Sequence, residues 1–282
     1  MLDRTASLSA FSESDAASVI KRETALAHSR FHTQERPRAF LLAGQPGAGK
    51  TRLSAMAVSL MGGDAAFINA DDYRRYHPNY RKLYAEFGSD CVGMTRAFSG
   101  TVTERLIQRL SDSRLNLVIE GTGRTVSVPK ATAETLTANG YAVELAVIAA
   151  RPEVSLCSTL LRFYQMNEGG TIPRATAVPA HDEVVSALPG NLDALNGLDC
   201  ISRLRIWDRD LTLLFDSDAD TGSPSTALLG FWNRPWSAVE LDDAWEQVWH
   251  LRRQEAQHSL GQGAVVEELA QRLGMVEKAP NQ

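Results

Sequence analysis

The sequence predicts an α/β fold in which helices flank a mostly parallel central sheet and further helices extend both ends. Apolar segments typical of buried strands recur at 40–43, 65–69, 115–121 and 142–150. Segments of helical character separate them, and this alternation is typical of βαβ units, which place parallel strands side by side. A glycine-rich loop directly after the first strand, at 44–51, also favours this class.

The segments between the strands supply the helices. At 13–31, the residues Val19, Ile20, Leu26 and Ala27 can share one apolar stripe, which predicts an amphipathic helix. The other predicted helices lie at 54–60, 94–110, 129–139, 152–166, 180–187 and 237–258. The late segment, 202–217, predicts a strand or a hairpin.

Changes in composition divide the chain into three parts. We expect a helical leader at 1–36, an α/β core at 37–217, and a linker followed by a helical extension at 218–282. The linker is predicted at 218–230, where small and turn-forming residues are frequent.

The predicted extension is rich in tryptophan. It contains Trp232, Trp236, Trp245 and Trp249, which are four of the five tryptophans in the chain. We expect these side chains to dock the extension onto the core, and the alternative is a surface that binds a partner.

The composition is that of an ordinary globular protein, with 44% hydrophobic and 22% charged residues among 282. A net charge of −5 predicts no general attraction to nucleic acid or to anionic membranes. The N-terminus carries acids where a signal peptide would be apolar, and no apolar run approaches the roughly 20 residues of a membrane span. The three cysteines are scattered, so we expect a reducing, cytoplasmic location and no zinc site.

The segment FLLAGQPGAGKT carries the strongest chemical signal, because an apolar strand leads into the pattern G-x-x-x-x-G-K-T. In such a loop, backbone N–H groups and the N-terminus of the following helix favour a bound phosphate. Lys50 can reach the β- and γ-phosphates, and Thr51 can bind Mg²⁺. We therefore predict a nucleotide site formed by Gly44, Gln45, Pro46, Gly47, Ala48, Gly49, Lys50 and Thr51.

Polar residues at the ends of two other strands indicate what happens to the nucleotide. Ligands of an open α/β sheet bind beyond the carboxyl ends of its strands. Asp71 and Asp72 follow the second strand, and Glu120 ends the third. Thr122 and Arg124 come next, in a turn that two glycines allow. This pattern favours a pocket for a phosphate acceptor over the water site of a motor ATPase.

Phosphoryl transfer to an alcohol needs a carboxylate that accepts the hydroxyl proton and cations around the migrating charge. Asp71 is the candidate base, and the residues alone do not separate it from Asp72. Arg162 and Arg174 are candidates for the cations, because a guanidinium donates several hydrogen bonds to phosphate oxygens.

Five segments, in this order across 38–217, resemble the zeta toxin family of toxin–antitoxin kinases: FLLAGQPGAGKT, INADDYRRYHPNY, RLSDSRLNLVIEGTGRTVSVP, RATAVPAHDEVVSALPGNLDAL and RLRIWDRD. The string LVIEGTGRT followed by Val-Pro is much more specific than the loop pattern. The resemblance implies a P-loop kinase fold and an enzyme that uses ATP and Mg²⁺ to phosphorylate the 3′-hydroxyl of the sugar in UDP-N-acetylglucosamine. It also implies that a separate antitoxin protein is a possible partner.

The resemblance also implies roles for individual residues. The catalytic group falls on Lys50, Asp71, Arg162 and Arg174, with Asp71 favoured over Asp72 as the base. The metal-binding hydroxyl falls on Thr51. The contacts to the sugar nucleotide fall on Asp71, Glu104, Glu120, Thr122 and Arg124.

Three alternative functions remain open. The same kinase chemistry could act on another nucleotide sugar or on a dinucleotide. A nucleotide-dependent switch or a DNA-associated ATPase is disfavoured, because the sequence has no Asn-Lys-x-Asp guanine signature, no clear Asp-Glu strand end and no basic stripe. A non-catalytic interaction protein that works through its tryptophan-rich end is disfavoured by the presence of every expected catalytic residue.

Overall fold

The computed structural model describes residues 2–275 and centres on a six-stranded sheet with the strand order β2-β3-β1-β4-β5-β6. Its strands are β1 (Arg38–Ala43), β2 (Ala66–Ile68), β3 (Leu117–Glu120), β4 (Ala142–Ile148), β5 (Arg203–Trp207) and β6 (Leu213–Asp216). Neighbouring strands are parallel except for β5 and β6, which form an antiparallel hairpin at one edge. The predicted fold class is confirmed, and the late segment is a hairpin.

Helices cover both faces of the sheet and extend both ends of the chain. They are α1 (Leu2–Ser9), α2 (Glu13–His28), α3 (Lys50–Ser59), α4 (Ala70–Tyr73), α5 (Tyr80–Phe87), α6 (Cys91–Met94), α7 (Arg96–Asp112), α8 (Ser127–Ala138), α9 (Pro152–Glu168), α10 (Val178–Asn196), α11 (Pro224–Asn233), α12 (Ala238–His258) and α13 (Gly263–Arg272). Within the described part of the chain, we find no helix with the length and apolar character that a bilayer crossing requires.

The side chains of β1 show how the core is divided. Successive residues of a strand point to opposite faces of the sheet. Leu41 joins the larger apolar cluster, which also contains residues of α2, α7, α8 and α10. Phe40 and Leu42 join the smaller cluster on the other face, where α3 packs through Leu53 and Ala57. Because β1 is packed on both of its faces, the position of the loop that follows it is fixed.

The C-terminal helices α12 and α13 form a third apolar cluster with α9. Val248 and Leu251 of α12 and Leu269 of α13 are completely buried in it, against residues such as Leu160 and Phe163. Burying this many aliphatic side chains contributes favourable free energy that depends on the area removed from water. The extension is therefore packed against a helix of the core.

Three of the four clustered tryptophans dock as expected. Trp232 is buried in the central cluster, and Trp236 and Trp245 pack against the cluster of α9, α12 and α13. Trp249 is different, because it remains 52% exposed, with the guanidinium of Arg252 lying 4.7 Å from its ring centre.

Part of the predicted linker at 218–230 is a helix, so that prediction was wrong from Pro224 onward. The side chain of Ser223 accepts a hydrogen bond from the N–H of Thr226 and caps α11. Pro224 takes the first helical position, where its missing N–H costs nothing. Leu228 is completely buried in the central cluster. The three-part division of the chain stays a prediction.

One helix is longer than predicted, and several helices of the structure were not predicted. The helix predicted at 180–187 extends over Val178–Asn196 and passes through Pro189, which is buried. Burial of the apolar face of α10 outweighs the cost of a proline inside the helix. The helices α1 and α13 were not predicted, and α13 is short, so its packing on α9 decides its conformation.

Candidate functional site

The glycine-rich loop lies between β1 and α3, as predicted. Gly44, Gly47 and Gly49 have φ angles of 145°, 78° and 106°, which favour glycine. A Cβ atom at Gly47 would overlap the carbonyl oxygen of Ser155 at the start of α9. The loop therefore packs closely against α9. The helix α3 begins directly after it and has no side-chain cap, so its first N–H groups can bind an anion.

Lys50 is the first residue of α3 and lies back over the loop. Its Nζ donates hydrogen bonds to the carbonyl oxygens of Gly44 at 2.9 Å and of Gln45 at 3.3 Å. Burial lowers the pKa of Lys50, whereas the charge of Glu120 raises it and that of Arg162 lowers it. The lysine is therefore close to charged groups from β3 and α9.

Asp71 follows β2 in the first turn of α4. The side-chain oxygen of Asn69 accepts from the N–H of Asp71 at 3.0 Å, and Nε of Arg74 donates to Oδ1 of Asp71 at 2.7 Å. Burial raises the pKa of Asp71, but the hydrogen bond and charge of Arg74, with the charges of Arg174 and Arg162, outweigh it. The pKa of Asp71 is thus below its usual value, and its carboxylate is ionised at neutral pH.

Glu120 is the last residue of β3, which lies between β2 and β1. Nδ2 of Asn69 lies 3.5 Å from Oε2 of Glu120. Burial raises the pKa of Glu120, the charge of Lys50 lowers it, and the charges of Asp71 and Asp72 raise it. The net shift is upward, so Glu120 holds a proton more readily than an exposed glutamate does.

The loop after β3 lies beside the glycine-rich loop. The N–H of Gly44 donates to the carbonyl oxygen of Thr122 at 3.2 Å. Nδ2 of Asn191, on α10, donates to the carbonyl oxygens of Gly123 at 2.9 Å and Arg124 at 2.8 Å. A conformation with φ of 72° at Gly123 completes this turn. Hydrogen bonds from the glycine-rich loop and from α10 therefore hold this turn in place.

The two predicted phosphate-binding arginines come from α9 and from the segment that follows it. Arg162 lies on α9, and Arg174 lies between α9 and α10. Both are close enough to Asp71 for their charges to lower its pKa. The structure thus brings both arginines to the site.

Three predicted residues lie at the edge of this group. Thr51 is exposed in the first turn of α3, next to Lys50. Nη1 of Arg124 pairs with a carboxylate oxygen of Glu183 on α10 at 3.4 Å. Glu104 lies on α7 and is exposed, and among residues 2–275 no hydrogen bond or ion pair connects it to the other predicted residues. The predicted role of Glu104 in the site is therefore not supported by a contact with these residues.

Sequence reasoning missed two residues that support the site. Arg74 is buried and holds Asp71, and its Nη1 also donates to the carbonyl oxygen of Val92 at 2.6 Å. Its position three residues after Asp71, at helical spacing, was a signal that could have found it. Asn191 lies in a segment that resembles the family, but its contact could not be predicted, because only the packing of α10 brings it to the turn after β3.

The charges of the site suit phosphate chemistry. The carboxylates of Asp71 and Glu120 lie within electrostatic range of Lys50 and Arg162, beyond the carboxyl ends of β1, β2 and β3. Such cations can balance the charge of a phosphate, and an ionised carboxylate can accept a proton from a hydroxyl group.

The chain has relatives that cover most of it. The family model described as Zeta toxin matches residues 22–220. The chain is 40% identical over 213 residues to Toxin PezT of Streptococcus pneumoniae, which is 74% of this chain and 83% of the relative. It is 38% identical over 216 residues to Toxin zeta of Streptococcus pyogenes, which is 76% of this chain and 75% of the relative.

Solved structures share the fold. One, from the PezAT chromosomal toxin–antitoxin system of Streptococcus pneumoniae, is 33% identical with a TM-score of 0.78 and covers 87% of this chain and 99% of the solved chain. The AvrRxo1-ORF1:AvrRxo1-ORF2 structure with sulphate ions is 15% identical with a TM-score of 0.57, covers 94% and 90% of the two chains, and shows a likeness of fold alone. From the sequence matches and the shared P-loop kinase-like fold, we conclude that the chain belongs to the Zeta toxin family.

Proposed function

We propose that this chain is an ATP-dependent kinase that phosphorylates the 3′-hydroxyl of the sugar in UDP-N-acetylglucosamine. The observation that supports this most directly is the grouping of Lys50, Asp71, Glu120 and Arg162 beside the glycine-rich loop. A phosphate donor and a hydroxyl acceptor both need such a set of charges. Phosphorylation at this position would remove a peptidoglycan precursor from use.

The donor side of the proposed reaction is the loop 44–51. Its N–H groups and the N-terminus of α3 bind the phosphates of ATP. Lys50 leaves the carbonyl oxygens of Gly44 and Gln45 to bind the β- and γ-phosphates. The exposed hydroxyl of Thr51 is a hard oxygen ligand and fits Mg²⁺, which is usually held by one or two protein ligands and the phosphates. When bound, Mg²⁺ neutralises charge on the β- and γ-phosphates.

Asp71 accepts the proton of the acceptor hydroxyl. Arg74 occupies Oδ1 and keeps the carboxylate ionised, so Oδ2 remains for the hydroxyl group. A low pKa makes a weak base, but the transition state of phosphoryl transfer is loose and depends mainly on position and charge. The residues proposed to hold the sugar nucleotide are Glu104, Glu120, Thr122 and Arg124.

Arg162 and Arg174 stabilise the migrating phosphoryl group. They come from α9 and the segment after it, and both lie within electrostatic range of Asp71. A guanidinium presents several donors in one plane and binds the equatorial phosphate oxygens well. Interactions that strengthen as charge develops lower the barrier rather than merely increasing affinity.

We also propose a cytoplasmic protein that is regulated by a separate antitoxin and does not act through nucleic acid or membrane. A solved relative comes from the PezAT toxin–antitoxin system, which supports a protein partner of this kind for the present chain. The test is copurification of the chain with the product of a neighbouring gene.

The substrate is tested by incubating the purified protein with Mg²⁺-ATP and a panel of nucleotide sugars. We expect UDP-N-acetylglucosamine to gain the mass of one phosphate while ADP forms. Phosphorylation of a different sugar nucleotide or a dinucleotide would keep the kinase and change the acceptor. ATP turnover with no phosphorylated acceptor would favour a nucleotide-dependent switch or ATPase instead.

A further inference from the structure

A line of polar contacts joins the glycine-rich loop to the C-terminal helix α13. Nε2 of Gln45 lies 3.2 Å from Oγ of Ser155, and this Oγ lies 2.8 Å from Nε2 of His181. Nδ1 of His181 lies 2.9 Å from Oδ1 of Asp182. Arg272, in the last turn of α13, donates to both oxygens of Asp182 at 2.9 and 2.6 Å. The five side chains form one continuous chain.

The three residues nearest the loop are completely inaccessible to solvent. Gln45, Ser155 and His181 each have a relative exposure of 0%. Buried polar groups lose free energy unless they are paired, so each contact constrains the next. Nε2 of Gln45 also donates to the carbonyl oxygen of Ala150 at 2.7 Å, which fixes the orientation of the amide.

The contacts fix the direction in which the protons are donated. Burial lowers the pKa of His181, so its ring is neutral, and the hydrogen bonds from Arg272 help to lower the pKa of Asp182 to about 2. The carboxylate of Asp182 can only accept, so Nδ1 of His181 carries the proton. Nε2 then accepts from the hydroxyl of Ser155, which in turn accepts from Gln45. Oγ of Ser155 also lies 2.9 Å from the carbonyl oxygen of Pro152, a second acceptor for its proton, and Oε1 of Gln45 is buried with no hydrogen-bond partner among residues 2–275.

This line of polar contacts ends at the backbone of the glycine-rich loop, which would bind phosphate. The carbonyl oxygen of Gln45 accepts from Lys50, and Gly47 packs against the carbonyl oxygen of Ser155. The position of Gln45 therefore decides the path of the loop through Gly47. Ser155 contacts the loop directly, and His181 acts on it through Ser155.

We propose that Arg272 and His181 are positioning residues that hold the glycine-rich loop in its phosphate-binding conformation through this buried chain. The C-terminal helix α13 thereby sets the affinity for the nucleotide, although it lies outside the site. This inference rests on the proposed binding of ATP by the loop, and it does not depend on the acceptor.

The experiment measures ADP binding to the full chain by calorimetry. We expect Arg272→Met and Ser155→Ala each to weaken ADP binding about tenfold, which equals about 1.4 kcal/mol. Both residues belong to the same line of polar contacts, so the double variant should lose less ADP affinity than the product of the two single losses. The effects of substitutions at independent sites would multiply. Single-turnover rates at saturating ATP should stay close to those of the unchanged protein, because the residues position the loop and do not contact the reacting atoms.

A matched control uses the same ion-pair cluster. Glu268 pairs with Arg272 but does not contact Asp182, so Glu268→Gln should keep ADP affinity within about twofold. Arg272→Lys keeps the charge and can reach one oxygen of Asp182, so it should restore part of the affinity. If Arg272→Met unfolds below the assay temperature, Arg272→Lys replaces it, and the same comparison is made between the two single variants and the double variant with Ser155→Ala.

The outcomes separate this inference from the proposed function. Unchanged ADP affinity in Arg272→Met, or effects that multiply in the double variant, would overturn the inference and leave nucleotide binding intact. No binding of ADP by the unchanged protein would overturn the proposed function itself.

Discussion

The side chain of Arg74 donates from Nε to Oδ1 of Asp71 at 2.7 Å and is itself almost completely buried. This contact leaves one oxygen of Asp71 available and orients it. Asp72, the next residue, has no such partner among residues 2–275. The two adjacent carboxylates therefore differ in their surroundings, which yields a direct test.

We predict that Asp71→Asn loses ~10²–10⁴-fold in the rate of phosphoryl transfer, the usual cost of removing a general base. Asparagine keeps the size of the side chain but cannot accept the proton, so ATP should still bind. Asp72→Asn should keep activity within about tenfold, or ~1.4 kcal/mol in the barrier. Single-turnover measurements at saturating ATP compare the variants, and the reverse ranking would assign the base to Asp72.

We predict that Arg74→Gln shifts the acidic limb of the pH–rate profile to higher pH. Arg74 lowers the pKa of Asp71, so activity that needs an ionised Asp71 persists until the pH falls through this lowered value. Without that charge, burial still raises the pKa, and activity is lost at a higher pH. Arg74→Lys keeps the charge and should shift the limb less. Identical limbs in all three proteins would exclude Asp71 as the titrating group.

We predict that Gly47→Ala weakens ADP binding at least about tenfold, or ~1.4 kcal/mol, because the phosphate-binding loop must shift. The added Cβ would overlap the carbonyl oxygen of Ser155. Gly62→Ala is the control, because Gly62 also has a positive φ, of 68°, but an added Cβ there meets nothing within 4 Å. Calorimetric titration of both variants should show near-normal affinity for Gly62→Ala. Equal losses in the two would attribute the effect to backbone strain.

We predict that Leu251→Ala lowers the free energy of unfolding by ~2–5 kcal/mol, as expected for a large aliphatic side chain in a core. Leu251 is completely buried between α12 and α9. Val239→Ala, in the same helix but 70% exposed at that position, should change stability by no more than ~0.5 kcal/mol. Urea unfolding gives both values. An unchanged midpoint for Leu251→Ala would mean that the extension does not stabilise the core.

The loop and the first four strands could be predicted because their signals are local. An apolar run followed by glycines and Lys50 specifies its own conformation. The contact between Asn191 and the carbonyl oxygens after Gly123 could not be predicted, because it depends on how α10 packs. The same packing carries α10 through Pro189, where local propensity predicts that a helix ends.

Sequence reasoning found the charged residues of the site but not how they are held. Asp71, Glu120 and Arg162 were predicted from strand ends and from the family resemblance, and the structure brings them within electrostatic range of one another. Whether Glu104 contacts the acceptor stays a prediction. The buried chain through His181 crosses four elements, so neither spacing nor periodicity could reveal it.

The strand order has a consequence for how such proteins diverge. β2 and β3 lie on one side of β1 and carry Asp71 and Glu120, whereas β4 lies on the other side and leads into α9 with Arg162. Under the proposed function, the loop after β1 binds the donor, the residues that follow β2 and end β3 bind the acceptor, and Arg162 lies within electrostatic range of both groups. Mutations among the residues that bind the acceptor can therefore change which molecule is phosphorylated, while the loop that binds ATP is inherited unchanged.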